Sequence, residues 1–325
     1  MTDQIKKYWF FIGIAVMVLI AFFLPAFGTF IHTYKVLNIG IFLAFLVTGL
    51  SLETSSILRQ LKNVKVLFAA LLSSLVLFPA IAYLAAEQVF RGSPDFAIGA
   101  LIIGVAPVTV ASGTVMTAIA LGNVPLSLFI CIFGNLVSIF TIPIILNLFL
   151  QFGDTPIDLP VVKMLTGLVV KVLIPTVIGQ LLRPKLKNAL KPYKKAFSIF
   201  NQCIVLLIIL NAVSSSTGRI VQVGSVIVLV FLFMIVLHLL ILGINYALSR
   251  LIRLDTASSA AFTIHTSQKT LTVSYLVWAG YFAKAFPMAL IPSIAYHLTQ
   301  MILDTFVAHA FRKRSEAKKK PAVIG

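Results

Sequence analysis

One lysine stands in the middle of an apolar run. Lys269 lies in the stretch His265-Thr266-Ser267-Gln268-Lys269-Thr270-Leu271-Thr272. An amine so placed attracts an anion, stands in for a bound cation, or gains and loses a proton. An internal ion pair with Asp304 is the purely structural alternative. A second polar stretch, Ala106-Pro107-Val108-Thr109-Val110-Ala111-Ser112-Gly113-Thr114-Val115-Met116-Thr117, also interrupts an apolar run. Pro107 removes a backbone donor and Gly113 permits unusual dihedrals. Hydroxyls and freed carbonyls at such breaks are oxygen ligands for a cation, and helix N-termini there favour an anion. Catalytic spacing is absent, with no H-E-x-x-H, G-x-S-x-G or Walker A run. Ser112 and His265 lack an orienting carboxylate, so the chain does not read as an enzyme. Cys131 and Cys203 lie far apart in apolar runs and imply neither a disulfide framework nor a metal site.

The elements that position these residues are membrane spans. The chain is 60% hydrophobic and 11% charged, against about 25% charged in soluble domains. The net charge of +17 sits in loops and tails, which fits a positive-inside bias and not nucleic-acid binding. Apolar runs of about 20 residues fall near 8–27, 36–52, 66–90, 96–121, 124–150, 161–182, 196–215, 221–249, 257–283 and 286–311. The run Tyr8–Phe27 is long for a signal peptide and no A-x-A-like site follows, so it reads as a retained first span. Ten spans put both termini on one side. That side holds most of the Lys and Arg, including Lys6, Lys7, Arg59, Lys62, Lys65 and the tail from Arg312 to Lys320. The other side holds Lys35, Arg91, Lys163, Arg219 and Lys284. Both termini are therefore expected in the cytoplasm.

A polar link at 151–160, with Asp154, Pro156, Asp158 and Pro160, divides the chain into 1–150 and 151–325. Five spans per half make the second half run in the opposite sense. The two interruptions then fall in the fourth and ninth spans, at equivalent places. Matched interruptions in inverted repeats point to the binding site of a secondary transporter. The other polar residues in spans divide as follows. His265 either lines the site or is buried beside it. His238, His297, Asn147, Asn201, Asn211 and Asn245 read as glue between helices. Asn135 follows the first interruption closely, and Lys171 carries no assigned role.

Several short runs resemble the bile acid:sodium symporter family (solute carrier family ten). They are Thr48-Gly49-Leu50-Ser51-Leu52, Pro107 with Ala111-Ser112 and Val115-Met116-Thr117, Gly122-Asn123-Val124 with Leu126-Ser127, and Ile174-Pro175 with Gly179-Gln180-Leu181-Leu182-Arg183-Pro184. The resemblance implies an all-α polytopic fold of ten helices in two inverted five-helix repeats, with helices four and nine unwound and crossing. It implies a panel domain of about 8–52 plus 161–215, and a core domain of about 66–150 plus 221–311. It also implies import of organic anions with sodium. The family's sodium ligands carry over in part, onto Ser112, Ser127 and Gln268. Gly113-Thr114 replaces an Asn, with Thr114 as the available oxygen. Cys131 replaces a hydroxyl and Ser74 a Gln, and no Glu matches the ninth span. The Ser267-x-Lys269-Thr270 pattern is similar to the divergent bacterial branch resembling the family's seventh vertebrate member.

The expected function is a secondary transporter of a small organic anion in a bacterial inner membrane. Ser112, Gly113, Thr114, Ser127, Cys131, His265, Thr266, Ser267, Gln268, Lys269 and Thr270 are expected to form the site, with support from Ser74, Asn135 and Asp304. The coupling ion is open between sodium, a proton and no sodium at all. The alternatives are a conventional sodium-coupled symporter and a non-transporting regulator or receptor. No cofactor and no nucleic-acid partner are expected. The basic tail is expected to meet membrane lipids.

Overall fold

The computed structural model describes residues 2–52, 60, 63–109, 111–151 and 157–319. Val110, Arg59, Lys62, Asp154, Pro156 and Lys320, named above, lie outside these. The described residues are helical, with no strand among them. Helix is what apolar runs must adopt where no water can satisfy a free peptide group.

In chain order the helices are α1 (Thr2–Phe23), α2 (Ala26–Thr33), α3 (Val36–Ser51) and α4 (Val64–Val89). Next come α5 (Pro94–Val105), α6 (Ala111–Ile119), α7 (Val124–Gln151) and α8 (Val161–Leu186). The chain continues as α9 (Lys194–Val223), α10 (Val226–Leu251), α11 (Thr256–Ser267), α12 (Leu271–Val277) and α13 (Ile291–Lys319). Among the described residues five helices are long and apolar enough to cross a membrane, or up to six if one bent pair counts as a span.

The expected spans differ from these helices in four ways, each with a local cause. The first run bends by 99° between Trp9–Phe23 and Ala26–Thr33, where Pro25 interrupts the backbone ladder. The last helix begins at Ile291, not 286, and continues to Lys319. The stretches 96–121 and 257–283 are each two helices with a gap between them. Finally, π turns at Ser73–Leu77, Val169–Leu173 and Trp278–Phe282 shift the ladder by one residue. Composition carries no signal for such turns.

Helices α3 and α8 meet backbone to backbone. A Cβ on Gly49 would strike Thr176 O, and one on Gly179 would strike Leu46 O, Leu50 N and Gly49 Cα. Gln180 Nε2 then caps the end of α3 on Gly49 O and, at 3.1 Å, on Leu52 O. Because backbone cannot step aside as a side chain can, Gly179→Val is expected to cost about 3 kcal/mol. Thermal unfolding of purified protein measures this, and a loss under about 1 kcal/mol would refute the contact.

Asp255 starts α11 by accepting from Ala257 N at 2.8 Å and Ser258 N at 3.0 Å. Burial pushes its carboxyl up, but the bonds from Ser258 and Ala257 outweigh it and leave the group below the usual carboxylate value. A lowered value means the bonds stabilise the fold above the ordinary carboxylate range and are lost as pH falls through the folded value. Asp255→Ala is expected to cost about 1 kcal/mol near neutral pH. The difference from wild type should vanish in acid, as melts across a pH series would show.

Candidate functional site

Both gaps begin alike. Helix α5 ends at Val105 with Ala106 extended, and α11 ends at Ser267 with Gln268 extended. The two gaps touch, because Thr270 N donates to Pro107 O at 2.9 Å. Each gap also has an amide side chain that serves its freed backbone. Asn135 Nδ2 donates to Val108 O at 3.1 Å. Gln300 does more, since Oε1 accepts from Lys269 N and Nε2 donates to Lys269 O, both at 2.8 Å. The peptide groups of both breaks are thus paired inside the protein, as a water-free interior demands.

Lys269 is fully buried, and among the described residues it makes no ion pair with a carboxylate. Its Nζ lies 2.5 Å from Ser74 O, 2.7 Å from Gly104 O, 2.9 Å from Ala106 O and 3.1 Å from Ser74 Oγ. The Phe78 ring lies beneath it, 4.4 Å to the centroid. Prolines explain why these carbonyls are free. In the π turn of α4, Phe78 N bonds Ser73 O, and the next residue, Pro79, has no N–H for Ser74 O. Gly104 O lies at the end of α5, where Pro107 removes a donor and the helix leaves its last carbonyls bare. The negative end of the α5 dipole also faces the ammonium.

Asp304, expected as a partner for Lys269 or a histidine, takes the histidine. Its Oδ1 lies 2.9 Å from His238 Nε2, and its Oδ2 accepts from Gln268 Nε2 at 2.6 Å. Tyr296 Oη donates to Ser267 O at 2.7 Å and lies 2.7 Å from His238 Nδ1. A phenol has one proton, and Ser267 O can only accept, so Nδ1 must donate to Tyr296. A further proton then lies between Nε2 and Oδ1, and the His238–Asp304 pair is neutral overall. Gln268 Oε1 accepts from Ser112 Oγ at 2.9 Å, and Ser112 meets Thr109 Oγ1 at 2.7 Å.

A third cluster lies behind the first gap. Ser127 Oγ is 2.5 Å from His265 Nδ1 and accepts from Thr117 Oγ1 at 3.2 Å. Gly113 does not supply unusual dihedrals. It lies inside α6, and its missing Cβ leaves room for the His265 ring, whose Nδ1 would be 2.6 Å from a side chain there. Gly113→Leu is therefore expected to push His265 off Ser127 and cost about 1–3 kcal/mol, read from thermal melts; an unchanged midpoint would sink it. Thr266 and Ser267 are fully buried, Ser267 Oγ accepting from Asn245 Nδ2 at 2.8 Å. Cys131 is buried beside Asn135, and Thr114 is half-buried on α6.

A cavity of about 190 Å³ opens between two walls. One is formed by Phe10, Ala44, Phe45, Thr48, Ser198, Asn201, Gln202 and Val205, from α1, α3 and α9. The other is formed by the gaps and their neighbours, with Val108, Thr109, Ser112, Val115, Met116, Asn135, Thr270, Leu271, Thr272, His297 and Met301. Of the expected residues, Ser112, Asn135 and Thr270 line it; Gly113, Thr114, Ser127, Cys131, His265, Thr266, Ser267, Gln268, Lys269, Ser74 and Asp304 stand outside the lining. Asn201, expected as glue between helices, faces the cavity instead, and its Oδ1 has no partner. Gln300, Pro79, Tyr296 and Gln202 were missed. A His297-x-x-Gln300 pair in an apolar helix was the available signal for Gln300.

The model of the SBF-like CPA transporter family matches residues 8–313. The chain is 25% identical to sodium/bile acid cotransporter 7-B of Xenopus laevis, over 98% of this chain and 96% of that protein. It is 27% identical to a probable chloroplastic sodium/metabolite cotransporter of Arabidopsis thaliana, over 90% and 70%. Identity to sodium/bile acid cotransporter 7 of Rattus norvegicus is 23%, over 98% and 97%.

Proposed function

Because the chain belongs to the SBF-like CPA transporter family, within the bile acid:sodium symporters, we propose that it is a secondary active transporter of a small organic anion. The carrying observation is the cavity, walled on one side by α1, α3 and α9 and on the other by two joined breaks. In this reading α1–α3, α8 and α9 form the panel, and α4–α7 with α10–α13 form the core. The halves 1–150 and 151–325 are inverted repeats of five spans each, and both termini face the cytoplasm.

Among the described residues the cavity lining has hydroxyls, amides, the His297 ring and apolar surface but no Lys, Arg, Asp or Glu. Those features support a small substrate held by neutral donors and acceptors such as Thr109, Ser112, Asn201 and Thr270.

Proteoliposome uptake tests the proposal. Labelled acetate, pyruvate, glutarate and taurocholate would be offered under sodium, proton or no imposed gradient. Concentrative uptake of one of them, reduced at least tenfold in Ser112→Ala, is expected. No uptake of any would remove the transport reading. Taurocholate uptake that requires sodium would favour the second reading, a conventional sodium symporter, which the names of the relatives support.

A further inference from the structure

The environment of the Lys269 amine identifies its charge state by counting. Three carbonyl oxygens lie 2.5–2.9 Å from Nζ. Carbonyls only accept, so three N–H bonds are required, and only the ammonium form has three. No acid among the described residues pairs with this charge. Among the described residues the ion pairs are His238 with Asp304 and Arg312 with Glu316. Main-chain carbonyls of α4 and α5, the Ser74 hydroxyl and the Phe78 face hold it instead. Uncharged oxygens from separate segments, closing on one cation, are how proteins hold a dehydrated alkali ion.

The oxygens that the family resemblance offers to sodium are already engaged. Ser112 is bonded to Gln268 and Thr109, Ser127 to His265 and Thr117, and Gln268 to Asp304. Ser74 is bonded to Lys269 itself. With no carboxylate among them, and with Ser74 held by an ammonium, these residues do not fit a sodium site in this chain.

We infer that the Lys269 ammonium occupies an oxygen cradle suited to a free monovalent cation, so that this chain carries its cation covalently and works without sodium. The second half of that statement rests on the transport reading, but the first does not. The cradle joins α4, α5 and the second gap at one point. A tethered cation therefore gives permanently the bracing that a bound ion would give only while it stays.

The test compares thermal unfolding of purified wild type and Lys269→Ala in equal concentrations of sodium and choline chloride. Wild type is expected to melt at the same temperature in both. Lys269→Ala is expected to melt lower in choline and to recover by roughly 5 °C in sodium, because an ion bound only by the folded state stabilises it by mass action. Lys269→Ser, which leaves a smaller hydroxyl in the vacated space, should behave likewise. Sodium-specific stabilisation of wild type would overturn the inference. So would variants that melt identically in the two salts. If neither variant can be purified, the wild-type comparison decides. Uptake by wild-type proteoliposomes should be the same in sodium and choline. If no anion in the panel is taken up, the transport reading fails, while the salt comparison on purified protein still judges the cradle.

Discussion

Gln300→Leu should lower the stability of the folded protein by roughly 2–6 kcal/mol. Gln300 pairs both Lys269 N and Lys269 O, at 2.8 Å each. Leucine fills similar space but offers neither acceptor nor donor. Lys269 N then loses its acceptor and Lys269 O loses its Gln300 donor, at about 1–3 kcal/mol each. No helix can reclaim them, because Gln268 and Thr270 on either side are extended. Gln300→Glu is the informative companion. Held protonated by burial, its carboxyl still accepts from Lys269 N and can donate its one O–H to Lys269 O, so it should lose less than leucine does. Denaturant or thermal unfolding in detergent would measure both. Equal, small losses would mean that the second gap closes by another route.

Asp304→Ala should be of similar size, about 3–5 kcal/mol, the cost of removing one member of a buried pair. The proton shared with His238 loses its acceptor, and Gln268 Nε2 loses its anchor. Gln268 also holds Ser112, which lines the cavity. Uptake should therefore fall along with stability, although Asp304 itself is fully buried behind the cavity. Asp304→Asn keeps an acceptor and should recover part of the loss. A melting point within about 2 °C of wild type for the alanine variant would show that the His238 network carries no weight.

The breaks were legible in the sequence because Pro107, Gly113 and His265-Thr266-Ser267-Gln268-Lys269 are rare in mid-membrane. The position of Lys269 was legible too, but its direction was not. Its partners are main-chain oxygens of Ser74, Gly104 and Ala106, and a carbonyl has the same chemistry whatever residue bears it. The available clue was negative: Pro79 takes away the donor that Ser74 O would otherwise meet, and α5 stops at Val105, short of the donors for Gly104 O and Ala106 O. Gly113 was singled out correctly and for the wrong reason, since its role depends on the His265 ring from a distant segment. The far wall of the cavity was hidden because Asn201 and Gln202 look like any amides on an apolar helix. Which side of that helix meets the gaps is a matter of packing. The π turns, which free Ser74 O, follow from ladder geometry and leave no mark on composition.

The bond from Thr270 N to Pro107 O joins segments made at very different times. Synthesis proceeds from the N-terminus, and early segments fold while later ones are still absent. When α5 and α6 enter the bilayer, Pro107 O and the carbonyls of Ser74, Gly104 and Ala106 await partners not yet translated. The first half must then hold its break in borrowed company, from water, lipid head groups or an insertion factor, until the segment at 268–270 arrives. A ribosome stalled before residue 268 should leave Lys-free α5 and α6 open to protease and solvent exchange. Extending the nascent chain past α13 should close them in a single late step.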